Sequence, residues 1–230
     1  MEEKLAILED KAVRAIQASD FKLAISVIDE ILEINYTEEF LLLKAGFQIE
    51  INQLNEALKT LNEVLKSDQE NMEALNNKAF VYMLLHDYEN SLKYYNEILK
   101  ISPDDSTSLK NKGVILGHLK RPDEAIVCYD KALKLNPEDI PALVNKGSAL
   151  AGLERYGEAI ECFDKIILLN PDFDLGYLNK AIALYETKKY EEALKCIEKA
   201  VFLNDSPHSL NWKNRILAKL NHKSNKNNLF

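Results

Sequence analysis

Six small residues recur along the chain at almost constant spacing, and this recurrence limits the possible folds more than any other feature. They are Ala24, Ala57, Ser91, Ala125, Ala159 and Ala193, separated by 33, 34, 34, 34 and 34 residues. Twelve residues before each stands a second small residue: Ala12, Ala45, Ala79, Gly113, Gly147 and Ala181. Four residues ahead of that second set come Leu8, Leu41, Leu75, Leu109, Leu143 and Tyr177. Four and seven residues after the first set come Ile28 and Ile31, Leu61 and Val64, Tyr95 and Ile98, Tyr129 and Ala132, Phe163 and Ile166, Ile197 and Ala200. Both halves of the unit therefore read i, i+4, i+7, one stripe of an α-helix. Among the stripe positions only Gln48 is neither apolar nor small. Small residues let two helix axes approach closely, and the large ones fill the space beside them. A unit of two such helices buries its stripe by folding into a hairpin and stacking on its neighbours.

Composition agrees with a helical chain. Only 7 Gly and 6 Pro in 230 residues leave little turn chemistry for a β-rich fold. With 29 basic and 37 acidic residues the net charge is −8, which argues against a nucleic-acid surface. No apolar run approaches the roughly 18 residues of a membrane span. The opening Met1-Glu2-Glu3-Lys4 lacks the layout of a signal peptide, so the expected location is cytoplasmic.

The unit resembles the tetratricopeptide repeat over about residues 5–207, most closely in Leu109…Gly113…Leu116…Ala125…Tyr129…Pro137. Pro103, Pro137 and Pro171 close three repeats, where each stops one helix before the next begins. The early Trp of the family pattern is absent, and the first repeat is one residue short around Asn35-Tyr36-Thr37. The resemblance implies an all-α fold, an α-α superhelix or solenoid of six helical hairpins, at about 5–37, 38–71, 72–105, 106–139, 140–173 and 174–207. A stack of hairpins needs a polar-backed end. Ser206-Pro207 is an N-cap and first-turn pair. A capping helix is thus predicted over 207–220, with Leu210, Ile216, Leu217 and Leu220 inward and Lys213, Asn214, Arg215 and Lys219 in water. A single solenoid over 5–220 is expected, followed by a basic, Asn/Lys-rich tail at 221–230.

The face of each first helix that lies opposite the stripe follows from 100° per residue. In six repeats it supplies 24 positions, of which five are charged, all acidic, and eight are apolar: Ala6, Val13, Leu43, Phe80, Leu84, Val114, Leu175 and Ile182. A partly apolar exposed strip marks a binding surface, and the resemblance implies that this face lines the concave groove. Within it Asn77, Asn111, Asn145 and Asn179 form a column, one per repeat, roughly 10 Å apart at usual helix spacings. An amide both donates and accepts, so the column is suited to hold the backbone of an extended peptide. The expected site is therefore Asn77, Asn111, Asn145 and Asn179 with Phe80, Leu84, Val114, Leu175 and Ile182, and the expected partner is a protein or peptide. The alternatives for the amides are a consensus residue without a role, or bonds to a neighbouring helix.

A second column, Lys11, Lys44, Lys78, Lys112, Lys146 and Lys180, lies beside the stripe. Its stems can cover apolar surface with the ammonium in water, or reach acidic groups of a partner. Some members of the family clamp a partner's C-terminal carboxylate. Lys110 and Asn145 match two of the five places, but Val114, Leu175 and Asn179 occupy the others. Cys128, Cys162 and Cys196 mark one place in successive hairpins, beyond disulfide reach of roughly 7 Å, and read as core fillers. The four His are scattered, no metal spacing occurs, and no nucleophile stands with a base. No cofactor is expected and the chain does not read as an enzyme. The competing reading is a self-assembling solenoid, a homo-oligomer joined through its ends or through Leu229-Phe230 of the tail.

Overall fold

The computed structural model describes residues 2–227, with side chains as far as His222. The described residues form thirteen α-helices and no strand. The six first helices are α1 (Glu2–Gln17), α3 (Glu38–Glu50), α5 (Met72–Leu84), α7 (Ser106–His118), α9 (Ile140–Gly152) and α11 (Asp174–Glu186). Their hairpin partners are α2 (Phe21–Ile34), α4 (Leu54–Ser67), α6 (Tyr88–Ile101), α8 (Pro122–Leu135), α10 (Tyr156–Leu169) and α12 (Tyr190–Leu203). The last is α13 (Pro207–Asn227).

The turn inside every hairpin is built the same way. Ser19, Asn52, His86, Lys120, Glu154 and Lys188 all have φ between 56° and 63°. The next residue's N–H then donates to the carbonyl five residues back, as Asp20 to Ala15, Arg121 to Leu116 and Lys189 to Leu184 do at 2.9 Å. This is the Schellman closure, which satisfies carbonyls that a helix end leaves open. No glycine supplies the left-handed residue in any of the six turns. Between hairpins the four links before α5, α7, α9 and α11 are tight turns, as where the Asn71 N–H donates to the Asp68 carbonyl at 3.3 Å, and a short polar side chain caps α5 and α9. Asn71 accepts from the Ala74 N–H at 3.0 Å and Asp139 from the Ala142 N–H at 2.9 Å. The missing residue of the first repeat is taken from this link, which spans 35–37 after α2 but 68–71 after α4.

The chain divides into two compact units, one ending at Ser108 and one beginning at Leu109, where the repeat phase predicts a single run. A hairpin touches only its neighbours, so no central core ties the whole chain together. In the first unit Leu41, Ala45, Ala57, Leu61, Val64, Ala74 and Val81 form one buried cluster. In the second, Leu143, Leu150, Ala159, Phe163 and Ile166 form another. Gln48, the exception in the stripe, is buried and accepts a hydrogen bond from Thr60 Oγ1 at 2.8 Å, so its polarity is satisfied inside the seam.

The capping helix differs from its prediction in length and in phase. It runs to Asn227 rather than 220, so the stretch expected as tail is helical through that residue. Ile216 is fully buried and Leu220 packs on the last core, but so do Trp212 and Tyr185, while Leu210 is 40% exposed. Trp212 gives more apolar area than Leu210, and its ring is also covered by the Arg215 guanidinium at 4.1 Å. Ser206 begins the helix as predicted, accepting from the Ser209 N–H at 3.2 Å. Leu229 and Phe230 lie outside the described residues.

Two glycines separate packing from propensity. A Cβ on Gly147 would sit 2.5 Å from Cε1 of the buried Phe163, whereas one on Gly46 would meet nothing within 4 Å. Gly147→Ala is expected to destabilise by about 1–2 kcal/mol, overpacking outweighing the gain in helix propensity. Gly46→Ala is expected to raise stability by up to about 1 kcal/mol. Urea unfolding of both variants checks the contrast; equal shifts would show that the seam is not tight at Gly147.

Candidate functional site

A first helix has three faces: the seam to its own hairpin, a flank toward the preceding hairpin, and an outer face. Four lysines of the column, Lys44, Lys78, Lys146 and Lys180, reach across the flank to the preceding hairpin, whereas Lys11 lies 3.9 Å from Glu30 of its own hairpin. Lys44 Nζ lies 2.6 Å from Asp29, Lys146 2.6 Å from Asp130 and Lys180 2.5 Å from Asp164, each acid on the second helix of the preceding hairpin. Lys213 of α13 repeats the pattern with Glu198 at 3.5 Å. Burial pulls the Lys146 and Lys180 ammonium groups down, but the hydrogen bonds and charges of Asp130 and Asp164 outweigh it and hold both above the ordinary lysine value. These lysines tie one hairpin to the next. The acids that hold them recur with the repeat, at Asp29, Asp130, Asp164 and Glu198, but no local signal in the sequence marks them as partners of the lysines.

One tie is neutral. Lys78 donates to Asn62 Oδ1 at 2.5 Å and lies 4.4 Å from the centroid of the Tyr94 ring. It is 7% exposed, and burial pushes its ammonium below the ordinary lysine value, with Tyr82 and Glu97 offsetting only part.

The outer face holds the predicted site residues. Asn77, Asn111, Asn145 and Asn179 are all half-buried, and among the described residues none of their amides is hydrogen-bonded within the chain. Bonds to a neighbouring helix, the structural alternative for this column, are therefore not made. Phe80, Leu84 and Leu175 are 38%, 40% and 44% exposed, and Val114 and Ile182 are half-buried. Ile182 also packs against the core of the last hairpin and is the least free of the set. In the first unit the face opens into a cleft of about 700 Å³, lined by Glu38, Glu39, Leu42, Leu43, Gly46, Phe47, Asn71, Glu73 and Asn77. Of these, Glu38, Leu42, Phe47 and Asn71 were not anticipated; each sits beside a predicted position on α3 or at the cap of α5.

The structure removes one functional option. Lys110, a candidate for gripping a terminal carboxylate, is already paired with Asp139 at 2.7 Å, and that carboxylate is 10% exposed. Cys128, Cys162 and Cys196 are free thiols, and burial raises all three. Among the described residues no group of His, Cys, Asp and Glu is placed to hold a metal ion. No described helix is long and apolar enough to cross a membrane.

Repeated hairpins with tight seams and an open outer face define a helical repeat protein. The tetratricopeptide repeat profile matches residues 73–105, 106–139 and 140–173, and a second profile of the same repeat matches 175–206. The chain belongs to the tetratricopeptide repeat family and has its all-α solenoid fold. No curated protein matches the sequence. Among solved structures, a tetratricopeptide repeat protein from Parabacteroides merdae is similar at 22% identity, with 95% of this chain and 88% of that one covered and a TM-score of 0.77. YrrB, described as a TPR protein with an unusual peptide-binding site, has 21% identity, 81% and 97% coverage and a TM-score of 0.69. PilW, a type IV pilus biogenesis factor, has 23% identity, 81% and 87% coverage and a TM-score of 0.70.

The neutral tie gives a direct test of the flank. Asn62→Asp supplies Lys78 with the carboxylate its counterparts have, and it is expected to stabilise by about 0.5–1 kcal/mol. Asp164→Asn is expected to lose a similar amount. Thermal melts of the two variants read the signs, and opposite signs are required.

Proposed function

We propose that this protein is an interaction scaffold whose outer first-helix faces hold an extended segment of a partner protein. The observation that carries the reading is the asparagine column. Its amides stand one per repeat, half-exposed and unspent, beside apolar side chains that are also left open. Side-chain amides bond a peptide backbone whatever its sequence, and flanking apolar groups shield those bonds from water. The description of YrrB as peptide-binding supports the same use of this fold. Within each unit the gripping residues are Asn77 with Phe80 and Leu84, and Asn111, Asn145 and Asn179 with Val114, Leu175 and Ile182. The proposed setting is the cytoplasm, with the solenoid of 5–220 as the working part.

Self-assembly is the second reading, and one observation favours it. Leu168 and Phe202 occupy equivalent positions on α10 and α12 and are 80% and 81% exposed. The other four repeats place Glu33, Lys66, Lys100 and Lys134 there. A large apolar pair in a row otherwise charged is a self-contact candidate.

Replacing Asn77, Asn111, Asn145 and Asn179 together by Ala is expected to weaken partner binding at least tenfold, by about 1.4 kcal/mol or more. The melting temperature should hold or rise, since Ala favours helix. Unchanged affinity in a folded variant would reject the ladder. For self-assembly, light scattering over a concentration series compares the wild type with Leu168→Lys/Phe202→Lys. A concentration-dependent mass that the double variant abolishes establishes the second reading.

A further inference from the structure

The cleft of the first unit has a floor and a rim of different chemistry, and together they specify an occupant. Leu42, Leu43 and Phe47 of α3 make the floor, with Leu43 41% exposed. Gly46 lies among them with open space where a side chain would project. The rim carries Glu38 and Glu39 at the start of α3 and Glu73 at the start of α5. Among the described residues none of these three carboxylates is in an ion pair. The cations nearest in sequence are committed elsewhere: Lys44 of α3 to Asp29 on α2, and Lys78 of α5 to Asn62 on α4. Positive helix ends stabilise acids in the first turn, which is why three can gather here without a cation from the chain itself. The rim's charge is therefore left for a ligand to neutralise.

We infer that the first unit's cleft takes a cationic peptide segment, in which an apolar residue rests on Leu42, Leu43 and Phe47 while a flanking Lys or Arg reaches Glu38, Glu39 and Glu73. The inference rests on the scaffold reading above and names its partner class. Charged hydrogen bonds to these carboxylates discriminate against neutral and acidic segments. The apolar floor supplies contact that salt does not screen. Asn77, at the edge of the same cleft, is placed to hold the segment's backbone.

Fluorescence anisotropy on the full chain tests this with three labelled nonapeptides that alternate leucine with lysine, glutamine or glutamate. The lysine peptide is expected to bind at least tenfold more tightly than the glutamine peptide, and the glutamate peptide more weakly still. Raising salt from about 0.05 to 0.5 M should shrink the lysine advantage by screening. Glu38→Gln/Glu39→Gln/Glu73→Gln should bring the lysine peptide to the affinity of the glutamine peptide. Gly46→Trp, which keeps every charge and fills the open space, should abolish binding of all three, with helicity and melting temperature checked by circular dichroism. Equal affinity for lysine and glutamine peptides, both lost in Gly46→Trp, overturns the charge inference and keeps the scaffold reading. Binding that persists in Gly46→Trp overturns the cleft as the site. No binding of any peptide overturns both.

Discussion

The structure depends on one contact, a small residue on a first helix lying against a large one on its partner. At Gly113 and Gly147 the rings of Tyr129 and Phe163 occupy the space a Cβ would need. Elsewhere the small partner is Ala45, Ala79 or Ala181, each fully buried, and at Ser91 the hydroxyl donates to the Ala79 carbonyl at 2.8 Å across the seam. Close approach fixes which face of a helix is used up inside the hairpin. Once that face is fixed, 100° per residue assigns every other residue to the neighbouring hairpin or to water.

The Asn-Lys pairs show how sharply this assignment acts. Asn77-Lys78, Asn145-Lys146 and Asn179-Lys180 are sequence neighbours with opposite employment. One residue's rotation carries each lysine onto the flank, where Asn62, Asp130 or Asp164 of the preceding hairpin holds it. The same step leaves each asparagine on the outer face with no internal partner. Individual ion pairs of this kind are modest. They add to the apolar contacts that already join neighbouring hairpins, as Ala74 and Val81 of α5 cluster with Leu61 and Val64 of α4.

The seam was legible from the sequence because small and large residues alternate there at one fixed period, and six copies average out local noise. The outer face was legible by the same arithmetic, down to the exposure of Phe80, Leu84 and Leu175. What escaped lies where a second element must be placed in space. Asp130 stands 16 residues before the Lys146 it holds, on another hairpin, and nothing local to either residue announces the pair. The phase of α13 escaped because a single capping helix has no copies to compare, so half-buried Trp212 packs on the last core where Leu210 was expected. Leu168 and Phe202 were hidden by their row, which is charged in the other four repeats.

Comparing the repeats with one another sets the asparagines apart from the rest of the outer face. Seam rows stay apolar or small, Gln48 excepted, as close packing demands. The outer row through Phe80 reads Val13, Gly46, Phe80, Val114, Ser148 and Ile182, and the row through Leu84 reads Gln17, Glu50, Leu84, His118, Gly152 and Glu186. These rows scatter in size, charge and polarity, as expected where folding imposes nothing. The row through Asn77 opens with Asp10 and Leu43 and then keeps one residue: the last four repeats carry the same amide, although none of the four makes a hydrogen bond within the chain. Asn is a poor helix former in mid-helix, costing several tenths of a kcal/mol against Ala. This recurrence, at a cost to the helix and on a face the fold leaves free, is what the proposed hold on a partner's backbone rests on.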